Sequence, residues 1–252
     1  KKTKQILLYV EGVRDGRKFL EVLKRVNRKK PIIVLKAGKS ESASKAAFSH
    51  TGNVAGSYLA YLSAFRQAKV ICAEKLEELF EFVRIFGKPM PKGKRVGIIT
   101  NGGGLGVLTA DAIVENGLEL PAFSKETEKQ LRAILPEYAN INNPLDIIAD
   151  ADCEVYYKTI DVLMKDPSID SIVVIVLFQA PAVDARIINI LTDYINQKAK
   201  PIVVIAVGGD YTRNYRKTLE GYGVPAYSSP SAAIKALNKL VEYAHWKIKN
   251  KW

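Results

Sequence analysis

Two stretches of this 252-residue chain carry the residue types that an anion, and above all a phosphoryl group, needs around it. The first runs Gly38-Lys39-Ser40-Glu41-Ser42-Ala43-Ser44-Lys45-Ala46-Ala47-Phe48-Ser49-His50-Thr51-Gly52-Asn53. Its hydroxyls, its two ammonium groups and the backbone N–H groups freed by small residues all suit a bound anion. His50, one of only two histidines, lies in this stretch. An imidazole nitrogen attacks an activated phosphoryl group and later leaves it easily, because its charge state changes near neutral pH. A loop histidine with no task is the competing reading, and spacing alone does not separate the two. Gly38-Lys39-Ser40 ends like a Walker A loop, but the glycine required five positions earlier is Ile33, which excludes a P-loop.

The second stretch is Arg95-Val96-Gly97-Ile98-Ile99-Thr100-Asn101-Gly102-Gly103-Gly104-Leu105-Gly106, a strand running into a glycine-rich turn and a helix expected over Gly106–Asn116. Glycines let N–H groups approach a phosphate at the positive end of a helix, and a turn built from them is free to take positive φ. A dinucleotide fingerprint needs a third spaced glycine where Val107 stands, so a nicotinamide-dependent oxidoreductase is disfavoured. A tight turn with a packing role alone is the other reading. Glu11 ends the first apolar run and could hydrogen-bond a histidine ring, or be a solvated carboxylate. Asn142-Asn143-Pro144-Leu145-Asp146, Asp150 and Asp152 read as turn and cap chemistry rather than a metal site, and His245 as a packing or surface residue. No metal is expected. Cys72 and Cys153 lack any CxxC or histidine neighbour and read as inert.

Apolar runs bounded by turn signals must position these residues. Strands are expected at Gln5–Val10, Pro31–Lys36, Lys69–Cys72, Arg95–Thr100, Ser171–Phe178, Pro201–Val207 and Pro225–Tyr227, alternating with helix-period segments. That alternation is the mark of an α/β fold with parallel sheets covered by helices on both faces. The linker Gly87–Lys94 holds two prolines and divides the chain into domains over 1–88 and 94–252. The two sides repeat each other. Gln5–Val10 aligns with Ser171–Val176, Pro31–Leu35 with Pro201–Ile205, and the segment from Val70 with the segment from Val224. Pro31 to Val70 spans 39 residues and Pro201 to Val224 only 23. The extra length in the first copy is the stretch that holds His50, at the carboxyl edge of a sheet, where open α/β sheets bind ligands. Two flavodoxin-like domains are therefore expected, the first truncated at its N-terminus.

Residues 1–94 hold 21 Lys/Arg against 8 Asp/Glu, and the remainder 17 against 18. A basic half suggests anionic ligands or an acidic partner surface. Its cations alternate with apolar positions at helical spacing and no nucleic-acid module is present, so nucleic acid is not expected. No apolar run is long enough for a membrane span, and a cytoplasmic protein is expected.

Ser49-His50-Thr51-Gly52, the Glu11-Gly12 strand end and Thr100-Asn101-Gly102-Gly103-Gly104-Leu105-Gly106 together closely resemble the alpha subunits of ADP-forming acetyl-CoA synthetases, in the succinyl-CoA synthetase superfamily. The resemblance covers essentially the whole chain, which is similar to the last part of one flavodoxin-like domain and all of the next; that family's CoA-binding domain is expected to be absent from these 252 residues. It implies an acid–CoA ligase in which acyl-CoA and phosphate give an acyl phosphate, His50 takes the phosphoryl group, and ADP receives it. His50 would be the transient phosphohistidine and Glu11 its orienting carboxylate. Ser49, Thr51, Gly52, Asn101, Gly102, Gly103 and Gly104 would contact phosphate. CoA and ADP/ATP with Mg2+ would be substrates bound mainly outside this chain. An upstream CoA-binding domain and an ATP-grasp beta subunit or fused ATP-grasp domain would be the partners, giving a hetero-oligomer. The alternative is a non-catalytic, synthetase-like regulatory or ligand-binding module, against which the intact His50 setting argues.

Overall fold

The computed structural model describes residues 2–40, 42–43, 57–197 and 199–250. Two compact units form, residues 1–87 together with those from Glu242 on, and residues 88–241.

In the first unit β1 (Ile6–Val10), α1 (Gly16–Asn27), β2 (Ile32–Lys36), α2 (Tyr58–Ala68), β3 (Ile71–Ala73) and α3 (Leu76–Ile85) alternate. The three strands are parallel in the order β1-β2-β3. Asp15 opens α1 by accepting the Lys18 N–H at 2.9 Å, which satisfies one of the free donors of a helix start. The apolar side of α1 packs Phe19, Leu20, Leu23 and Val26 onto Ile32, Val34 and Phe65. Full burial, as of Leu23, Ile32, Val34 and Phe65, contributes roughly 1.5–3 kcal/mol per side chain, and the half-buried Phe19, Leu20 and Val26 contribute less. Asn27, fully buried, accepts from Ile32 N at 3.0 Å and donates to Ala68 O at 3.1 Å and Lys69 O at 2.7 Å. One carboxamide thus joins the end of α1, the start of β2 and the end of α2.

In the second unit follow β4 (Val96–Thr100), α4 (Gly103–Glu115), α5 (Lys125–Ile134), β5 (Leu145–Asp146), α6 (Cys153–Lys165), β6 (Ser171–Ile175), α7 (Arg186–Gln197), β7 (Ile202–Ile205), α8 (Asp210–Gly221), β8 (Ala226–Tyr227) and α9 (Pro230–Lys249). The five strands are parallel in the order β5-β4-β6-β7-β8. Counted within the unit this is the second strand, the first, then the third to fifth, the flavodoxin-like order, and its switch point lies between β4 and β6. Helices on both faces explain why β4, β6 and β7 are buried along their whole length and contain almost nothing but Val, Ile and Gly.

The repeat expected from sequence is present in the strand registers. Ile6 pairs with Ile32 as Ile172 pairs with Ile202, and Val34 with Cys72 as Val204 with Ala226. β1-β2-β3 thus repeats β6-β7-β8. The copies differ at one edge: β6 has β4 beside it, whereas among the described residues no strand lies on that side of β1, so Tyr9 is 59% exposed and its counterpart Ile175 is 0%. One expectation shifts. The helix after the glycine turn begins at Gly103 rather than Gly106, because Gly103 and Gly104 take helical backbone in its first turn. Residues from Glu242 on, placed by sequence with the second domain, group with the first unit. There Tyr243 donates to Asn27 O at 2.8 Å and its ring meets Phe86 edge-on.

The repeat also exposes a strained position. Val70 N–H reaches back to Phe65 O, as Val224 N–H does to Leu219 O, closing α2 and α8 alike. The residue before each adopts the left-handed region, Gly223 at φ 79 and Lys69 at φ 54. A side chain is disfavoured there by about 1 kcal/mol, partly offset by the unfolded-state entropy that glycine adds. Lys69→Gly is therefore expected to stabilise the fold by up to about 0.5 kcal/mol, read as a small rise in thermal midpoint; a fall would contradict this account of the turn.

Candidate functional site

The first candidate is the carboxyl edge of the β1-β2-β3 sheet. Glu11 follows β1 directly, and Lys36 is the last residue of β2. Lys36 is buried, at 4% exposure for the residue as a whole. It donates to Glu11 O at 2.9 Å and to Ala37 O, and it lies 4.6 Å from the centroid of the Tyr61 ring. Burial lowers its pKa, and the negative charge of Glu11 pulls partly the other way. The Tyr61 hydroxyl accepts the Val13 N–H at 2.9 Å. Both flanks of Gly12 are therefore held, one by Lys36 and the other by Tyr61. Lys39 extends along the same edge and donates to Glu74 O at 2.7 Å. His50 lies in sequence between β2 and α2; Ser49, His50, Thr51 and Gly52 lie outside the described residues.

Sequence reasoning passed over Lys36 and Tyr61. A signal for Lys36 was present, since a lysine closing the run Ile32-Ile33-Val34-Leu35 in an otherwise apolar strand is a charge with little water available. Tyr61 had none, being one aromatic residue among several at helical spacing.

The second candidate is the switch point of the other sheet. Asn101, 2% exposed, accepts the Leu177 N–H at 2.8 Å and donates to Leu177 O at 3.3 Å. Its carboxamide ties the ends of β4 and β6 together, so what this residue offers a ligand is backbone rather than side chain. Thr100 Oγ1 accepts from Gly102 N at 3.0 Å and donates to Gly102 O at 2.9 Å, which fixes the entry to α4. Gly102, at the N-cap, brings no capping side chain, and the first turn has no acidic residue. The opening turn of α4 thus carries the partial positive charge of a helix start with no cap from its own sequence, and the Asp146 carboxylate lies beside it at Gly103. None of Asn101–Gly106 has positive φ, so the glycines here are not needed for left-handed backbone.

Space explains most of them instead. An added Cβ would stand 2.3 Å from Leu177 Cδ1 at Gly102, 2.6 Å from Asp146 Oδ2 at Gly103, and 3.0 Å from Thr100 Cγ2 at Gly106. At Gly104 it would meet no atom within 4 Å. Asp146, at the end of β5, accepts the Ile148 N–H at 2.9 Å, and Ile148 takes φ 64, an uncommon conformation for a β-branched residue. Asp152 caps α6 by accepting Val155 N–H at 3.0 Å. Cys153, buried, has its thiol pushed up by burial and is a poor nucleophile there. Among the described residues no three His, Cys, Asp or Glu side chains gather as metal ligands would, and no helix is long and apolar enough to cross a membrane.

Known proteins resemble both units. Residues 1–86 match the succinyl-CoA ligase like flavodoxin domain, and residues 96–246 match the Ligase-CoA domain. The chain is 42% identical over 246 residues to the acetate–CoA ligase [ADP-forming] II subunit alpha of Pyrococcus furiosus, covering 96% of this chain and 54% of that one. It is 41% identical over 252 residues to the corresponding I subunit alpha of the same organism, covering 99% and 54%. Among solved structures, the dinucleotide forming acetyl-coenzyme A synthetase 1 of Ca. Korarchaeum cryptofilum, in complex with phosphate and ADP, superposes with a TM-score of 0.87 at 32% identity, over 98% of this chain and 55% of that one. The chain spans about half the length of the curated alpha subunits it matches.

Proposed function

Because the chain belongs to the Ligase-CoA domain family, with a succinyl-CoA ligase like flavodoxin domain ahead of it, we propose that it is the phosphoryl-transfer part of an ADP-forming acyl-CoA synthetase of the acetate–CoA ligase type. The observation that carries this reading is likeness along almost the whole chain to alpha subunits of ADP-forming acetate–CoA ligases. In the reaction, phosphate displaces CoA from the acyl-CoA thioester to give an acyl phosphate and free CoA. A ring nitrogen of His50 then attacks phosphorus, the P–O bond to the acyl oxygen breaks, and the acid leaves as carboxylate. ADP attacks the phosphohistidine in turn, giving ATP and restoring the imidazole.

Each part of the chain has a task in this scheme. His50 is the phosphoryl carrier, and Glu11 orients its ring so that a nitrogen lone pair faces phosphorus. Ser49, Thr51 and Gly52 supply donors beside it. The first turn of α4, with N–H groups from Gly103 and Gly104, holds the phosphoryl group by hydrogen bonds and helix charge, whereas the Gly102 N–H, expected from sequence to join them, is taken by Thr100 Oγ1. Little covalent chemistry is asked of the protein, and positioning with electrostatic stabilisation supplies the rate. CoA, and ADP/ATP with Mg2+, bind on an upstream CoA-binding domain and an ATP-grasp subunit or domain, so the working assembly is a hetero-oligomer or a longer chain.

The test uses the intact protein with its nucleotide-binding partner. Incubation with γ-labelled ATP, or with labelled acetyl phosphate, should leave acid-labile, base-stable label on the peptide containing His50. Label confined to any other residue, or none at all, would remove the proposal.

A further inference from the structure

We propose that Lys36 and Tyr61 form a clamp that positions the Glu11 turn, and through it the carboxylate that orients His50. The inference rests on the reading of Glu11 given above and adds two positioning residues to it. Lys36 closes β2 and Tyr61 lies in the first turn of α2, so in sequence the two stand at either end of the segment that contains His50. They meet each other, ammonium over ring at 4.6 Å. Each also holds one side of the same turn, Lys36 through Glu11 O at 2.9 Å and Tyr61 through Val13 N at 2.9 Å. The two ends of the segment and the strand end bearing Glu11 are thereby fixed to one another.

A buried ammonium is an expensive way to cover a sheet edge. It is tolerated only when its three donors find partners, and an apolar side chain of similar length would fill the same space without that demand. The internal repeat shows what the fold alone requires at this point. With Ile32 aligned to Ile202 and Ile6 to Ile172, the counterpart of Lys36 is Ala206, and that of Glu11 is Leu177. Ala206 is fully buried. The counterpart of Tyr61 is Tyr215, whose ring stacks on Phe178 at 4.2 Å and whose hydroxyl faces Tyr211. Lysine and glutamate thus occur together in the copy with the histidine segment. In the copy without that segment both are replaced by apolar residues, and the tyrosine covers the corresponding turn by stacking on Phe178, the counterpart of Gly12, rather than through its hydroxyl. Sheet packing is common to the two copies and does not account for the pair.

The experiment measures phosphorylation of His50 by acetyl phosphate in the intact protein, for Lys36→Met, Tyr61→Phe, Glu11→Gln and the double variants with Glu11→Gln, with thermal melting of each. Lys36→Met should lower the maximal rate by about tenfold to a hundredfold, as displacement of an orienting group does, with the KM for acetyl phosphate nearly unchanged. Tyr61→Phe, which removes one oxygen and keeps the ring, should lower it by roughly threefold to tenfold. Both losses should vanish in the Glu11→Gln background, because a clamp acting through Glu11 has nothing left to position. Losses that persist undiminished beside Glu11→Gln, or that fall on KM alone, overturn the clamp. Should Lys36→Met not fold, the Tyr61→Phe and Glu11→Gln pair decides by the same criterion. A slow Glu11→Gln with a full-rate Lys36→Met overturns the clamp and spares the site reading. Full rates in Glu11→Gln and Lys36→Met alike remove the role of Glu11 itself.

Discussion

Replacing His50 with Asn should stop ATP formation while the protein still makes acyl phosphate. The reason lies in the order of steps proposed above. Attack of phosphate on the thioester precedes any use of the imidazole, so acetyl-CoA and phosphate should still give acetyl phosphate and free thiol. The next step needs a nitrogen lone pair that can bond to phosphorus. The Asn amide approximates one edge of the ring in shape and hydrogen bonding, but its nitrogen is not nucleophilic. Loss of a covalent nucleophile is expected to reduce turnover by on the order of 10^4-fold or more. Thermal unfolding should stay close to that of the parent protein, because Asn suits a polar, small-residue stretch such as this one. The two half-reactions are measured separately, thiol release with acetyl-CoA and phosphate, and ATP release with acetyl phosphate and ADP. A folded His50→Asn protein that forms ATP at near the parent rate would refute His50 as carrier. Loss of both half-reactions together would mean that the residue serves the site in some way other than as nucleophile.

Much of the architecture was legible because it depends on short-range pattern. Runs such as Ile172-Val173-Val174-Ile175 are long enough for a buried strand and too short for a helix, and they recur with similar helices between them. That recurrence was enough to align Pro31 with Pro201, and the paired registers follow from it. What was not legible depends on contacts far along the chain. Asn101 reads as one letter of a glycine motif, yet its carboxamide is engaged by Leu177, 76 positions on. Gly103 reads as flexible, yet it is small because the Asp146 carboxylate fills the space beside it. Lys36 and Tyr61 belong to different elements and become a pair only when α2 lies against the end of β2. The last helix has apolar periodicity throughout, and periodicity does not say which core each turn will face. Its first turns stay with the second unit and its last turns with the first.

The glycine turn offers the other large effect, and space around it lets function be separated from folding. A Cβ at Gly103 would come within 2.6 Å of Asp146 Oδ2, and one at Gly104 meets nothing within 4 Å. Gly104 also lies in the first turn of α4, away from the left-handed region, so a side chain there strains no backbone. By helix propensity Val is no worse than Gly, and Ala is better by up to about 1 kcal/mol. Gly104→Val should therefore fold with an unchanged or slightly raised thermal midpoint. It should nevertheless slow phosphorylation of His50 by about a hundredfold, since two methyl groups at the opening of the helix keep a phosphoryl oxygen from the N–H groups and forfeit one strong oxyanion-type contact. Gly104→Ala should lie between Val and the parent in rate. Gly103→Ala should lose stability as well as rate, because the Asp146 carboxylate must move. CoA affinity should be unchanged in all three if CoA binds on an upstream domain. A Gly104→Val protein that melts normally and phosphorylates at the parent rate would show that the turn only packs. A parallel fall in CoA affinity would place the turn in CoA binding instead, and either result removes α4 as the phosphoryl cradle.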